Sequence, residues 1–364
     1  LKPDTMSHIL ISATRKSSGK TTIAVGLAAA LAQTGLQIQT FKKGPDYIDP
    51  MWLSHATALP CRNLDFYTMS QKEILKSFSY YAHRADFSLI EGNKGLFDGL
   101  NLDGSNSNAA LATLLNAPII LVIETSGMTR GIAPLILGYI NFDPSINIAG
   151  VILNKVGGAR HEKKLRATLE HYTDVPVLGV LFNDQLLQIP ERHLGLTPTN
   201  EAPQALKKID TIASIISTQI DMNAIKQIAT RTSTMPTPAP HRITKSKPDI
   251  IIGIARDSAF GFYYPGDLEA LENSGAKLVN IDMTKDTMLP KIDGLFIGGG
   301  FPETRMVELK VNSSMMHSVR KAVEDGLPTY AECGGLMYLA RSITWQGRTC
   351  LLYTSDAADE RSSV

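Results

Sequence analysis

The stretch Ile9 to Thr22, ILISATRKSSGKTT, constrains the fold more than any other. Ile9-Leu10-Ile11 reads as a short buried parallel strand. Small and basic residues follow, then Gly19-Lys20-Thr21-Thr22, then an apolar helical run from Ile23 to Gln33. Strand, small-residue loop, Gly-Lys-Thr and helix form the context in which a phosphate-loop match is meaningful. Gly19 has no Cβ, so backbone N–H groups can close on a phosphate, and the helix start adds partial positive charge. Ser18 to Thr22 are therefore expected to hold a nucleotide. Lys20 is expected to reach the β and γ phosphates, and Thr21 to give its hydroxyl to Mg2+. Thr14 stands where the first Gly of GxxxxGK(S/T) would be, and Arg15 and Lys16 put two cations beside the loop. The plainer reading is an ordinary strand-to-helix turn.

A chain of 364 residues is too long for one small core, so two or three domains are expected. Lys plus Arg is 36 and Asp plus Glu 35, which gives no electrostatic case for nucleic acid or an anionic membrane. No apolar run approaches the roughly 18 residues of a membrane span. Cys61, Cys333 and Cys350 make neither a metal pattern nor a disulfide framework, and a cytoplasmic enzyme is expected. Met6, just before the first strand, is expected to be the true start. The polar stretch 351–364 is expected to be a foreign tail on an interrupted domain.

Strands are expected at 36–41, 86–91, 117–124, 148–153 and 177–181, with the apolar run 117–124 in the centre of the sheet. Helices are expected at 131–139, 161–172 and twice within 201–230. Loops at the carboxyl ends of parallel strands share one crevice. Lys42 to Pro50, KKGPDYIDP, is one such loop, and either Asp46 or Asp49 suits Mg2+. Glu91, at a strand end before Gly92, suits a second ligand position. Asp98, in the Gly-punctuated KGLFDG loop, suits a substrate contact. Asn154, after the strand 148–153, could pair with a nucleobase edge or cap the next element. His193 reads as a structural hydrogen bonder rather than a catalyst.

Residues 232–248, rich in Pro, Thr and Ser, read as a linker between domains at 6–231 and 249–350. In the second, strands are expected at 249–255, 277–281, 294–297 and 327–331, and helices at 267–274, 314–325 and 336–340. Cys333 falls between a strand end and a helix start and is followed by two glycines, the logic of a nucleophile elbow with sulfur in place of oxygen. Gly298 to Gly300 could offer N–H groups to an oxyanion, and Gly334 follows the thiol directly.

Taken together, SSGKTT, FKKGPDYIDP, EGNKGLFDG, VILNKVGGARH, QIPERHLGL, ARDSAFGFYYP, GGGFPE and AECGGLMYL resemble the cobyrinic or hydrogenobyrinic acid a,c-diamide synthases. The resemblance implies an α/β chain of two doubly wound domains. The first is similar to the phosphate-loop NTPase-type sheet of dethiobiotin synthetases, and the second to a class I glutamine amidotransferase domain lacking its C-terminal end. It implies ATP-dependent amidation of two carboxylates of a corrinoid or related tetrapyrrole through an acyl phosphate, with ammonia released from glutamine by Cys333. It sets Thr21, Asp46 and Glu91 on Mg2+, and Tyr47, Ile48, Asp49 and Asp98 toward the macrocycle. The oxyanion would be held by Gly299, Gly300 and Gly334. A homodimer is one arrangement open to such a chain. In the family Ser-Gly usually stands where Lys16-Ser17 stand here, and a His lies beyond the nucleophile. No His follows Cys333 in these residues, so little ammonia from glutamine is expected. Nickel-sirohydrochlorin a,c-diamide synthases and partitioning-type ATPases are the alternatives.

Overall fold

The computed structural model describes residues 6–192, 195–230 and 248–351. His193, the expected linker except residue 248, and the expected tail from 352 onward lie outside them. The chain divides into two compact units, one ending at Pro240 and one starting at His241.

The first unit runs β1 (His8–Ala13), α1 (Lys20–Ala32), β2 (Ile38–Lys43), α2 (Ile48–Thr57), β3 (Arg62–Leu64), α3 (Gln71–Ala82), β4 (Phe87–Glu91), α4 (Asn108–Leu115). It continues with β5 (Ile119–Glu124), α5 (Ile132–Phe142), β6 (Ile148–Val156), α6 (Ala159–Tyr172), β7 (Val177–Phe182), the short pair β8 (Glu191–Arg192) and β9 (Gly195–Leu196), α7 (Ala205–Gln219) and α8 (Met222–Ala229). One sheet of seven strands has the order β3-β2-β4-β1-β5-β6-β7, and every pairing is parallel. β1 takes the middle place, not the more apolar run 117–124, which is β5 beside it. β1 tolerates His8 at full burial because His8 Nε2 hydrogen-bonds Leu115 O at 3.0 Å. The winding reverses on the two sides of β1, and such a switch point opens a crevice at the carboxyl ends of the strands.

α1 is apolar on all sides, as a helix enclosed by protein must be. Ile23 through Leu31 are all buried, and α1 packs against α7 through Ile212 and Ile216. That places the loop before α1 on a rigid base. α2, β3 and α3 have no counterpart among the sequence expectations. In α2, Pro50 reads as a breaker, yet it sits in the first helical turn, where its missing N–H costs nothing. α3 carries a legible start signal, the reciprocal capping box of Ser70 and Glu73.

The second unit contains β10 (Ile250–Ala255), β11 (Phe260–Phe262), α9 (Pro265–Asn273), β12 (Ala276–Ile281), β13 (Gly294–Ile297), β14 (Gly299–Gly300), α10 (Met306–Val311) and α11 (Ser313–Glu324). β15 (Thr329–Ala331), α12 (Gly334–Leu339), β16 (Ser342–Trp345) and β17 (Arg348–Leu351) complete it. Its parallel sheet has the order β12-β10-β13-β15. Phe260, Leu295, Ile297, Met315, Val319 and Tyr338 belong to its core.

Candidate active site

The loop between β1 and α1 closes tightly. Gly19 precedes α1 with φ of 86°, a left-handed conformation that side chains resist. A Cβ at Gly19 would stand 2.2 Å from Nδ2 of Asn154. That amide nitrogen donates to Ser18 O at 2.8 Å, and Ser18 Oγ donates to Arg15 O at 2.9 Å. Asn154 lies inside β6, not after it, and it braces the loop from below. Arg15 pairs with Glu124, the last residue of β5. Gly19, Lys20, Thr21, Thr22, Asn154 and the segments 181–185 and 187–191 line a cavity of about 640 Å³.

Beside the loop lies a cluster of buried charges set by strand register. Lys42 on β2 and Ile11 on β1 are both register partners of Glu91 on β4. Thr21 Oγ1 lies 2.6 Å from Glu91 Oε1 and 3.1 Å from Asp49 Oδ2. Lys20 Nζ donates to Glu91 Oε1 at 3.4 Å. Lys42 Nζ donates to Asp49, stands 3.1 Å from Glu91 Oε1 and 3.7 Å from Asp46 Oδ2, and also reaches Gly92 O. Burial works against the Lys42 ammonium, but the three carboxylates overcome it and hold its pKa well above the ordinary lysine value. Lys20 is pushed down by burial and then by the like charge of Lys42. Burial and then the charge of Asp49 push Asp46 up, with Lys42 pulling the other way. Asp49 goes down, because Lys42 and Lys20 outweigh the burial that opposes them. Glu91 is fully buried, and its Oε2 has no hydrogen-bond partner among the described residues.

Asp49, expected either on Mg2+ or toward the macrocycle, faces Thr21 and Lys42 from the first turn of α2. Asp46 spends one oxygen on the start of that helix, accepting from Ile48 N at 2.9 Å and Asp49 N at 3.1 Å. Tyr47 caps α2 and is half-buried, while Ile48 is buried. Asp98 is exposed and folds onto its own loop, accepting from Gly95 N at 2.9 Å. In the sequence Lys42 only opens the KKGPDYIDP loop, where no local pattern gives it a role. Its place at the centre of three carboxylates comes from register across β2 and β4, which no local pattern displays.

In the second unit Cys333 is exposed and adopts φ 49°, ψ −116° immediately before α12. Such a strained turn between β15 and α12 is what an elbow requires. A Cβ at Gly335 would come 2.1 Å from Ile297 O, so the helix start approaches β13 only with glycine there. A Cβ at Gly299 would lie 3.5 Å from Cys333 Cβ, which sets that glycine beside the thiol. Gly299 and Gly300 form β14, paired with β11. Cys61 and Cys350 are buried, and burial pushes both thiols up. Among the described residues no group of three or more His, Cys, Asp and Glu side chains could hold a metal ion alone. No described helix is long and apolar enough to cross a membrane.

Comparison with known proteins assigns these two halves. Residues 9–196 match the CobQ/CobB/MinD/ParA nucleotide binding domain. Residues 251–350 match the CobB/CobQ-like glutamine amidotransferase domain. A protein of Magnetococcus marinus named cobyrinate a,c-diamide synthase is 44% identical over 352 residues, covering 95% of this chain and 75% of that protein. Proteins of the same name from Methanosarcina barkeri and Synechocystis sp. are 42% and 40% identical, covering 94% and 92% of this chain and 72% and 70% of theirs. With a nucleotide-binding unit and a glutamine amidotransferase unit in one polypeptide, and this identity along nearly its whole length, the chain belongs to the cobyrinate a,c-diamide synthase family.

Proposed function

We propose that the protein converts the a and c carboxylates of cobyrinic acid, or of hydrogenobyrinic acid, to amides in cobalamin biosynthesis. ATP is consumed, and glutamine or free ammonia supplies the nitrogen. A carboxylate is a poor acceptor for ammonia until one of its oxygens becomes a good leaving group. In this reading a carboxylate oxygen of the macrocycle attacks the γ-phosphorus, ADP departs, and ammonia attacks the acyl carbon. Phosphate then leaves with that oxygen, and one proton is lost from nitrogen. Ammonia comes from glutamine when Cys333 Sγ attacks the carboxamide carbon; water then cleaves the thioester to glutamate. Backbone N–H groups of Gly299, Gly300 and Gly334 would receive the oxyanion.

The observation that carries this reading is the pairing in one chain of a phosphate loop meeting buried carboxylates with a cysteine on a strained strand-to-helix turn. Lys20 would hold the phosphates. Thr21 Oγ1, the unpartnered Glu91 Oε2 and a carboxylate of Asp49 or Asp46 suit a hard cation that keeps several waters and binds through phosphates. Mg2+ bound there would neutralise charge on the transferred phosphoryl group. Both reactions are those of a cytoplasmic enzyme.

The test supplies ATP, Mg2+ and nitrogen-15 ammonium with each candidate macrocycle in turn, its carboxylates labelled with oxygen-18. Labelled amides from cobyrinic acid, with oxygen-18 in the released phosphate, support the full reading. Products from nickel-sirohydrochlorin alone reassign the substrate. ATP turnover with no amide from any macrocycle refutes the reading in favour of a nucleotide switch.

A further inference from the structure

We infer that Lys42 is a resident cation that bars the metal site to a bare divalent ion and makes metal loading depend on nucleotide. The inference rests on the proposed ATP site. Lys42 Nζ is almost wholly enclosed, with a side-chain exposure of 2%. An ammonium has three N–H donors, and acceptors surround this one: Asp49 Oδ2, Glu91 Oε1 at 3.1 Å and Gly92 O at 3.4 Å, with Asp46 Oδ2 at 3.7 Å. The three carboxylates that a divalent ion would seek already converge on a cation that belongs to the chain.

Three acidic side chains, Asp46, Asp49 and Glu91, stand against two basic ones, Lys20 and Lys42, a formal charge of −1 for the cluster. A bare divalent ion meets little unbalanced charge there and must compete with the ammonium for the same oxygens. Glu91 Oε2 is left over: buried, without a hydrogen-bond partner among the described residues, and on the residue shared by Thr21, Lys20 and Lys42. The triphosphate of ATP changes the balance by bringing its own negative oxygens, which draw in the metal and give both lysines new partners. Metal then enters with nucleotide rather than before it. Lys42 acts here as a positioning residue, through the carboxylates.

Mn2+ on the protein, read in electron paramagnetic resonance as free-ion signal lost beyond that lost to the analogue alone, tests this without reference to amidation. The full chain is titrated with Mn2+ alone and with Mn2+ plus a non-hydrolysable ATP analogue. Wild type is expected to take up Mn2+ strongly only with the analogue. Lys42→Met, of similar length but uncharged, is expected to bind Mn2+ without nucleotide with a half-saturation at least tenfold lower than wild type. Should Lys42→Met fail to fold, Lys42→Met with Asp46→Asn keeps the wild-type net charge of −1 and is still expected to gain, because the oxygens of Asp49 and Glu91 are freed. No gain in nucleotide-free Mn2+ binding in the variant that folds overturns the inference. Wild type that binds Mn2+ as tightly without nucleotide as with it also overturns it. Failure of wild type to bind Mn2+ even with the analogue counts instead against the ATP site, and removes the basis of the inference with it.

Discussion

Adding a single methyl group at Gly19 probes the phosphate loop most directly. The residue sits at φ 86°, a conformation that costs alanine about 1–2 kcal/mol. The new Cβ would lie 2.2 Å from Asn154 Nδ2, so Asn154 must abandon its bond to Ser18 O, at a cost of about 1 kcal/mol. The sum is about 2–3 kcal/mol, which corresponds to nucleotide affinity weakened roughly 30- to 150-fold in Gly19→Ala. Asn154→Ala alone loses only the hydrogen bond and weakens binding roughly fivefold. In the double variant the methyl enters the space that Asn154 vacates, so the lost hydrogen bond counts once. The double-mutant cycle should therefore fall short of additivity by about 1 kcal/mol. The assay is titration with a fluorescent ATP analogue at fixed Mg2+, with urea denaturation to confirm that each variant is folded. Additivity within about 0.3 kcal/mol, or a Gly19→Ala affinity close to wild type, refutes the account of Asn154 as a brace.

Cys333→Ser is expected to abolish the small amount of product that this chain makes from glutamine while leaving product made from ammonium within about twofold of wild type, by a product assay with each nitrogen donor. Glu91→Gln removes the shared partner of Thr21 and Lys20 and is expected to lower ammonium-dependent amidation on the order of 100-fold, with a raised Mg2+ requirement. Ile216→Ala opens a cavity where α7 meets α1 and should cost about 2–5 kcal/mol of stability in urea. Asp257, which burial pushes up to about 6 although three backbone N–H groups pull it back, binds its proton more tightly folded than unfolded. Its contribution is thus full below about pH 4 and lost as pH rises through about 6, so second-unit stability should fall across that window in wild type and fall less in Asp257→Asn.

The extent to which the site is legible in sequence follows from how local each determinant is. Ser18 to Thr22 announce themselves because strand, turn and helix start are consecutive, and the thiol at 333 does so for the same reason. In the first turn the positive φ falls on Gly19, while at the elbow it falls on Cys333 itself. α2 and α3 escape because their cues conflict: Pro50 breaks a pattern it in fact begins, and α3's apolar positions are interleaved with lysines and serines. The cluster around Lys42 escapes for a deeper reason. Residues 20, 42, 49 and 91 meet because β2 and β4 are neighbours in a register that pairs 42 with 91, and because α2 returns Asp49 over them. Local spacing carries no trace of a strand order in which β4 lies between β2 and β1. A lysine that reads as one more charge in a polar loop thereby becomes an enclosed cation among three acids. Its meaning depends on the fold, so swapping the two lysines of KKGPD in character, Lys42 neutralised or Lys43 neutralised, should give unlike proteins although the sequence treats them alike. Lys43 bonds Asn93 Oδ1 at 3.1 Å and belongs to no carboxylate cluster at the phosphate loop, so Lys43→Met should leave nucleotide-free Mn2+ binding at the wild-type level.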